Sequence, residues 1–409
     1  MTRTVCPVAF LLIVLLTGSL LNAAKAPKDP KVVMLGMIRR ADALEKARKF
    51  DLAIVEYRKI IDASTKIYGP ESHETAAFIN NLAALHANAG QYEKATPLYR
   101  LSIKIDEKAI GKNALALTGT MGNLAAIYRS MDRPDLAMPL YQRNLGIYRD
   151  KLGAKDRKVA SVLDHIGTLH AGARDYLKAE KAFTESLAIL AEKPGKGHRA
   201  YAIVQIHYAG VLAATQRTKD AAVMYQAGIK ILQAKPGANS WELIGALSNL
   251  AEMHHGAQEY AQAVPLYLQA VKICETKLGK DHLMTADETS NLGAVYYDMG
   301  SLEKAAECYL KSMKIVEAKL GKTHRLTASM LNNLATVYWE AKKYKEAEVL
   351  YLRCLKIDEA ALGKTHRQLT PTLDNLAQLY LAMKKDEQAK IYRERSRKIK
   401  QAPRAKIEK

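Results

Sequence analysis

Residues Asn80 to Gly111 read NNLAALHANAGQYEKATPLYRLSIKIDEKAIG, and Asn332 to His366 read NNLATVYWEAKKYKEAEVLYLRCLKIDEAALGKTH. In the first stretch, counted from Ala76, Ile79, Leu82, Ala83 and His86 fall at i, i+3, i+4 and i+7. That spacing is one apolar stripe of a helix. Gly90 breaks it, and a second stripe runs through Tyr92, Ala95, Tyr99, Ser102, Ile103 and Ile110. Gly111 ends the second helix, as a glycine with positive φ commonly does. The unit is a helical hairpin of about 14 and 18 residues, near ordinary helix lengths.

Outward from this unit the pattern recurs every 42 residues without a slip. Glycines stand at Gly69, Gly111, Gly153, Gly195, Gly237, Gly279, Gly321 and Gly363. Alanines stand at Ala53, Ala95, Ala137, Ala179, Ala221, Ala263, Ala305, Ala347 and Ala389. Four residues beyond all but the last come Tyr57, Tyr99, Tyr141, Phe183, Tyr225, Tyr267, Tyr309 and Tyr351. Small residues recur at Ala83, Ala125, Gly167, Ala209, Ala251, Gly293, Ala335 and Ala377. A single hairpin cannot bury both stripes, so hairpins must stack into one continuous core. The alanine marks a close helix crossing that a larger side chain would overpack. Unbroken register leaves no room for a separate catalytic domain.

Composition agrees. Of 409 residues, 48% are apolar and 25% charged, the balance of a folded chain rather than a disordered one. Sixty-two Lys and Arg against 42 Asp and Glu give a formal charge of +20, which bears on partners rather than fold. At the N-terminus, Arg3 precedes the apolar run Val8 to Leu16, extended to Leu21, and then Ala23, Ala24 and Ala26. This order predicts a secretory signal peptide over residues 1–24, with cleavage between about 23 and 26, followed by a linker at 25–31. The alternative is an uncleaved anchor over Val5 to Leu21, short for a bilayer span and holding Pro7. Either way the folded part is expected outside the cytoplasm, in a periplasm, an envelope or the medium. Beyond the leader, Cys274, Cys308 and Cys354 form no C-x-x-C pair and read as small buried residues.

The pattern of apolar, apolar, small and aromatic positions, then alanine, aromatic and small, resembles the tetratricopeptide repeat. In the opening unit these positions are Ile79, Leu82, Ala83, His86, Ala95, Tyr99 and Ser102. The 42-residue period and the two quoted stretches resemble the kinesin-light-chain-like subclass. The resemblance covers about residues 32–400 and implies an all-α fold. That fold is a right-handed α-α superhelix of about nine helical hairpins, with its first helices lining a concave groove. A basic tail over 401–409 follows. Departures concentrate near 160–243: His165 and His207 replace Asn, Pro194 and Pro236 precede the linker glycines, and the fifth turn, ATQRTKDAA, lacks Gly and Tyr. A weaker joint between two sub-arrays and neutral drift both account for this. The last helix, RERSRKIKQAPRAKIEK, loses its apolar stripe, as a capping repeat does.

The resemblance also places a candidate binding surface. Counting from Ala76 as position one, groove-facing position six holds Asn81, Asn123, Asn249, Asn291, Asn333 and Asn375. An amide donates and accepts, so a row of them suits a peptide backbone in either direction. In related repeats the equivalent Asn contacts bound peptide; ordering the helix packing is the other role open to it. Groove positions in repeats two to nine hold Asp164, Glu252, Asp287, Asp298, Glu340 and Asp374 against one base, Arg129. The groove is thus predicted acidic, fitting a neutral or basic protein or peptide ligand. Tyr297 and Trp339 occupy position twelve in repeats seven and eight, as interface anchors or as packing between hairpins. The best site is therefore the groove of repeats six to nine.

The eleven histidines mostly occupy repeat positions: His282, His324 and His366 are linker copies, and His86, His170 and His254 fill one core slot. No H-E-x-x-H, phosphate-binding glycine loop or G-x-S-x-G is present. Enzyme activity, a cofactor and a metal site are not expected, and an acidic groove opposes specific nucleic-acid reading. Three functions stay open. One is an exported scaffold binding an extended polypeptide in its groove. Another is a protein held by its basic face on an anionic polymer or membrane. The third is a self-associating array.

Overall fold

The computed structural model describes residues 29–234 and 241–401. The expected signal peptide, most of the linker after it, Gly237 and all of the basic tail except Gln401 lie outside the described residues. Eighteen α-helices follow one another in nine hairpins, with no strand among the described residues. The chain divides into two units, one up to Lys196 and one from Gly197 onward.

The first unit holds four hairpins: α1 (Pro30–Lys46) with α2 (Phe50–Tyr68), α3 (His73–Asn88) with α4 (Tyr92–Ala109), α5 (Leu117–Ser130) with α6 (Pro134–Leu152), and α7 (Arg157–Gly172) with α8 (Tyr176–Leu190). The second unit holds five: α9 (Arg199–Ala214) with α10 (Thr218–Gln233), α11 (Trp241–Gly256) with α12 (Tyr260–Lys277), α13 (Leu283–Asp298) with α14 (Leu302–Leu320), α15 (Arg325–Glu340) with α16 (Tyr344–Leu362), and α17 (Thr370–Ala382) with α18 (Asp386–Gln401). Repeats four and five, where the sequence departs most, form hairpins of the same kind.

The columns read from the sequence form the cores. All nine alanines and all eight aromatics of the period are buried. The small-residue column has a steric cause. A Cβ added at Gly167 would stand 2.7 Å from the Phe183 ring, and one at Gly293 would stand 3.1 Å from Cys308 Cβ. The paired helices are also stapled by buried polar groups. Ser102, Ser186 and Ser312 each donate to a first-helix carbonyl (Ala76, Ala160 and Ala286) over 2.8 Å. Asn144 donates to the Thr118 carbonyl in the same way, over 3.0 Å.

Two turns recur, and they differ in what they demand. Within each hairpin one residue takes a left-handed conformation, with φ between 55° and 73° at Arg48, Gly90, Asp132, Arg174, Gln216, Gln258, Gly300, Lys342 and Lys384. Only two of the nine are glycine. The next backbone N–H closes back on the first helix in every case, as in Gln91 to His86 and Arg217 to Leu212, both 2.8 Å. This helix-terminating bond satisfies a carbonyl that would otherwise be orphaned, and it holds the turn whatever the side chain. The turn at Gln216, whose segment lacks the glycine and tyrosine found at Gly90 and Tyr92, is built like the rest.

After the second helix the geometry is stricter. Gly69, Gly153, Gly321 and Gly363 combine φ of 87–94° with ψ of 155–162°. Residues with a Cβ essentially never adopt that combination, so the glycine column is obligatory here. Three residues on, a side chain caps the helical segment that follows in six repeats, whereas α5 has no side-chain cap and in the last repeat the capped segment is the short turn Arg367–Leu369 ahead of α17. Ser72 and Asp156 accept from the backbone, and so do His198, His282, His324 and His366, whose Nδ1 takes the N–H two residues on at 3.0–3.2 Å. The linker histidines are therefore caps that accept through Nδ1.

A candidate interaction face on the first helices

In the second unit, side chains on successive first helices meet one residue out of register, 43 positions apart. His255 Nε2 lies 2.6 Å from Asp298 Oδ2. Tyr297 donates its hydroxyl to Glu340 at 3.4 Å, and Asn375 donates to Asn332 at 3.3 Å. These contacts show α11, α13, α15 and α17 presenting one continuous row. Position twelve of one repeat touches position thirteen of the next.

The row is acidic. Glu252, Asp287, Asp298 and Glu340 are exposed on it. Glu288 lies buried beside them and accepts from Ser248 at 2.7 Å. Burial pushes the Glu288 carboxyl above the usual range, the Ser248 bond opposes this, and neighbouring Asp287 raises it further. Burial also raises Asp287. Both shifts come first from burial, which disfavours the charged form, and His282 opposes the shift at Asp287. Asp374, in the last repeat, differs: it is ion-paired to Lys400 at 2.7 Å.

The six asparagines divide. Asn249 donates to the Tyr225 hydroxyl at 3.2 Å, which ties α11 to α10. Asn375 ties α17 to α15 as above. Asn81 accepts from Asn80 on its own helix, and Asn291 bonds Glu288 on its own helix. Asn123 is exposed and Asn333 half-buried. Part of the column is therefore engaged in packing.

The two aromatics divide as well. Trp339 is half-buried against the core of the last two hairpins, which includes Ala335, Leu373 and Leu376, and its indole N–H is buried without a partner. Tyr297 is half-buried over Ala305 and Tyr309, with its hydroxyl at the surface end.

In repeat one of the first unit the equivalent positions carry mixed charge, with Arg39, Asp42 and Lys46 exposed, and in repeats two to four most are small or neutral. They include Ala84, Ala87, Asn88, Ala126, Ser130 and Thr168, with Arg129 exposed and Asp164 buried. His165, standing in the Asn column, packs 5.1 Å from the Tyr141 ring.

The 43-residue offset was not visible in the sequence. Its signal is the pairing of position twelve with an acid at position thirteen of the next repeat. For chemistry, burial pushes the thiols of Cys274 and Cys308 up to about 11 and that of Cys354 to about 12, so little thiolate exists near neutrality. Among the described residues no group of three or more His, Cys, Asp or Glu is placed to hold a metal ion.

Comparison with known proteins accords with the stacked hairpins. The family profile described as tetratricopeptide repeat matches residues 33–108, 114–192, 159–234, 242–318, 286–360 and 326–402. Among curated proteins no sequence matches. Among solved structures, a signal transduction ATPase with numerous domains and a tetratricopeptide repeat sensor, from Pyrococcus horikoshii, superposes with a TM-score of 0.58 at 15% identity. That match covers 94% of this chain and 54% of the other. The apo form of RapI gives 0.50 at 13% identity over 69% of this chain and 97% of its own. BtubC (BKLC) from P. vanneervenii gives 0.48 at 20% identity, over 57% and 96%. These identities speak to fold alone.

Proposed function

The chain belongs to the tetratricopeptide repeat family, and from that premise we propose that it is a non-enzymatic scaffold holding an extended polypeptide on the first-helix row of its second unit. Protein–protein interaction is what such repeats provide, and the family is generally non-enzymatic. The observation that carries the reading is the row itself: exposed Glu252, Asp287, Asp298 and Glu340 on successive helices, with the Tyr297 ring between them. Carboxylates at groove positions of successive first helices, Asp298 and Glu340 in register, suit a ligand with Lys or Arg side chains, and an amphipathic ring beside them supplies contact area at low entropic cost. Asn291 and Asn333 offer amides to the ligand backbone. Residues 1–24 direct export, so the partner is sought outside the cytoplasm.

The test is a pull-down from envelope extract at low and high salt. It compares wild type with Asn291→Ala/Asn333→Ala and with Asp298→Lys/Glu340→Lys. A protein partner retained at high salt and lost in both variants supports the reading. Partners indifferent to both variants would overturn it.

A further inference from the structure

The opposite surface of the second unit carries a second register. Lys230, Lys272, Lys314, Lys356 and Lys398 recur at 42-residue intervals, one on each of α10, α12, α14, α16 and α18, and all five are exposed. Ion pairs bridge successive second helices from α12 on. Lys311 of α14 meets Glu275 of α12, Arg353 of α16 meets Glu317 of α14, and Arg395 of α18 meets Glu359 of α16, at 2.5–2.6 Å. Those bridges consume the neighbouring cations. Lys230, Lys272, Lys314 and Lys356 make no ion pair among the described residues, and Lys398 reaches Glu394 only at 3.8 Å. The row therefore repeats one unpaired lysine per hairpin from α10 to α16.

Aliphatic side chains accompany the lysines one and two turns earlier on the same helices. Val223, Leu268, Val349, Leu352 and Ile391 are all exposed; Val223 is 66% exposed, Val349 65% and Ile391 63%. Pro265 holds the same repeat position as Val349 and is also exposed. Charge alone would suit any polyanion. Large aliphatic groups left in water beside the charge suit a surface with an apolar layer beneath an anionic one. We propose that this second-helix face docks on an anionic lipid bilayer, with the lysine row on headgroup phosphates and Val349, Leu352 and Ile391 entering the interfacial layer. It goes beyond polypeptide binding and uses a different face, so both surfaces could be occupied together. Glu307 and Glu394 interrupt the face, which confines the strongest contact to the lysine line.

The test is flotation of the full chain with vesicles of 30% phosphatidylglycerol in phosphatidylcholine, beside vesicles of phosphatidylcholine alone. Any pull from the apolar N-terminal segment is common to all proteins compared, so the difference between variants reads the second-helix face. Each lysine near an anionic surface contributes about fivefold in affinity. Lys272→Glu/Lys314→Glu/Lys356→Glu should therefore lose on the order of 100-fold of the phosphatidylglycerol-dependent binding. The dependence should fade from 0.1 to 0.5 M salt. Val349→Ser/Leu352→Ser/Ile391→Ser should weaken binding several-fold and leave the salt dependence in place. Melting curves matching wild type establish that both variants are folded. Equal binding by wild type and the lysine variant would overturn the proposal. So would binding insensitive to the aliphatic changes and fully displaced by soluble polyphosphate, which would make the row a polyanion site instead.

Discussion

The two units share a backbone rule and differ in what they write on it. Both place alanine, an aromatic and a small residue in one 42-residue register, and both close their hairpins with the same left-handed residue. On the first-helix row, repeats six to eight of the second unit diverge from repeats two to four of the first. The second exposes Glu252, Asp287, Asp298 and Glu340, whereas the equivalent face of repeats two to four has small residues, Arg129 exposed and Asp164 buried. In a repeat protein, positions facing a neighbouring hairpin are held by packing, while positions facing solvent are free to diverge. A difference confined to the free positions is where a ligand preference would be written.

The largest expected effect tests the shared half of that comparison. Phe183→Ala in the first unit and Tyr309→Ala in the second should each cost about 3–5 kcal/mol, measured by chemical denaturation, because both rings fill the same inter-helix space. A cost in only one unit would break the equivalence. Next comes the divergent half. Asp298→Lys with Glu340→Lys should weaken the recovered partner about 100-fold, a loss of about 2.7 kcal/mol, whereas Arg129→Glu should change it less than about twofold. Titration calorimetry with the partner reads both.

Smaller is the linker glycine. Gly153→Ala and Gly321→Ala should each cost about 1–3 kcal/mol, since their φ and ψ exclude a Cβ although nothing stands where it would go. Gly300→Ala, in the left-handed turn where Lys342 and Arg174 are native, should cost about 1 kcal/mol or less. Thermal midpoints of the three variants check the order.

The smallest effect is a pH dependence carried by one pair in the first unit. His73 Nδ1 lies 2.8 Å from Asp106 Oδ1, and that hydrogen bond holds the imidazole above its ordinary value, against the opposing pull of burial. In the second unit the same two repeat positions hold Arg325 and Asp358, a cation that does not titrate in this range. The folded state favours the protonated imidazole. Its contribution is therefore complete below the unfolded value of about 6.5 and is lost as pH rises through the raised one. Denaturation midpoints across this range should fall for wild type and stay flatter for His73→Gln.

The fold was legible because its causes are local and repeated. Ala95 and Tyr99 show a helix stripe, and 42 residues later Ala137 and Tyr141 show it again. The hairpin turns were less legible, since glycine was taken as their sign. The carbonyl-satisfying bond at Gln216 and Lys342 does the same work without it. The helix-capping role of His324 was hidden too, because histidine is an unusual cap; Ser72 and Asp156 in the same column were the available signal. The candidate row was legible as charge and aromatic content. Its internal ties were not, because they depend on adjacent helices being offset by one residue. Trp339 shows the limit of residue type: an aromatic at a groove position packs into the last hairpins as readily as it faces a ligand.

The most direct test of the central claim places a photo-crosslinking side chain in each unit at the same repeat position, as Asn123→p-benzoylphenylalanine and Asn333→p-benzoylphenylalanine. Illumination in the native envelope should yield a polypeptide adduct at position 333 and none at 123. Equal adducts at both, or an adduct at 123 alone, would contradict the assignment of ligand binding to the second unit.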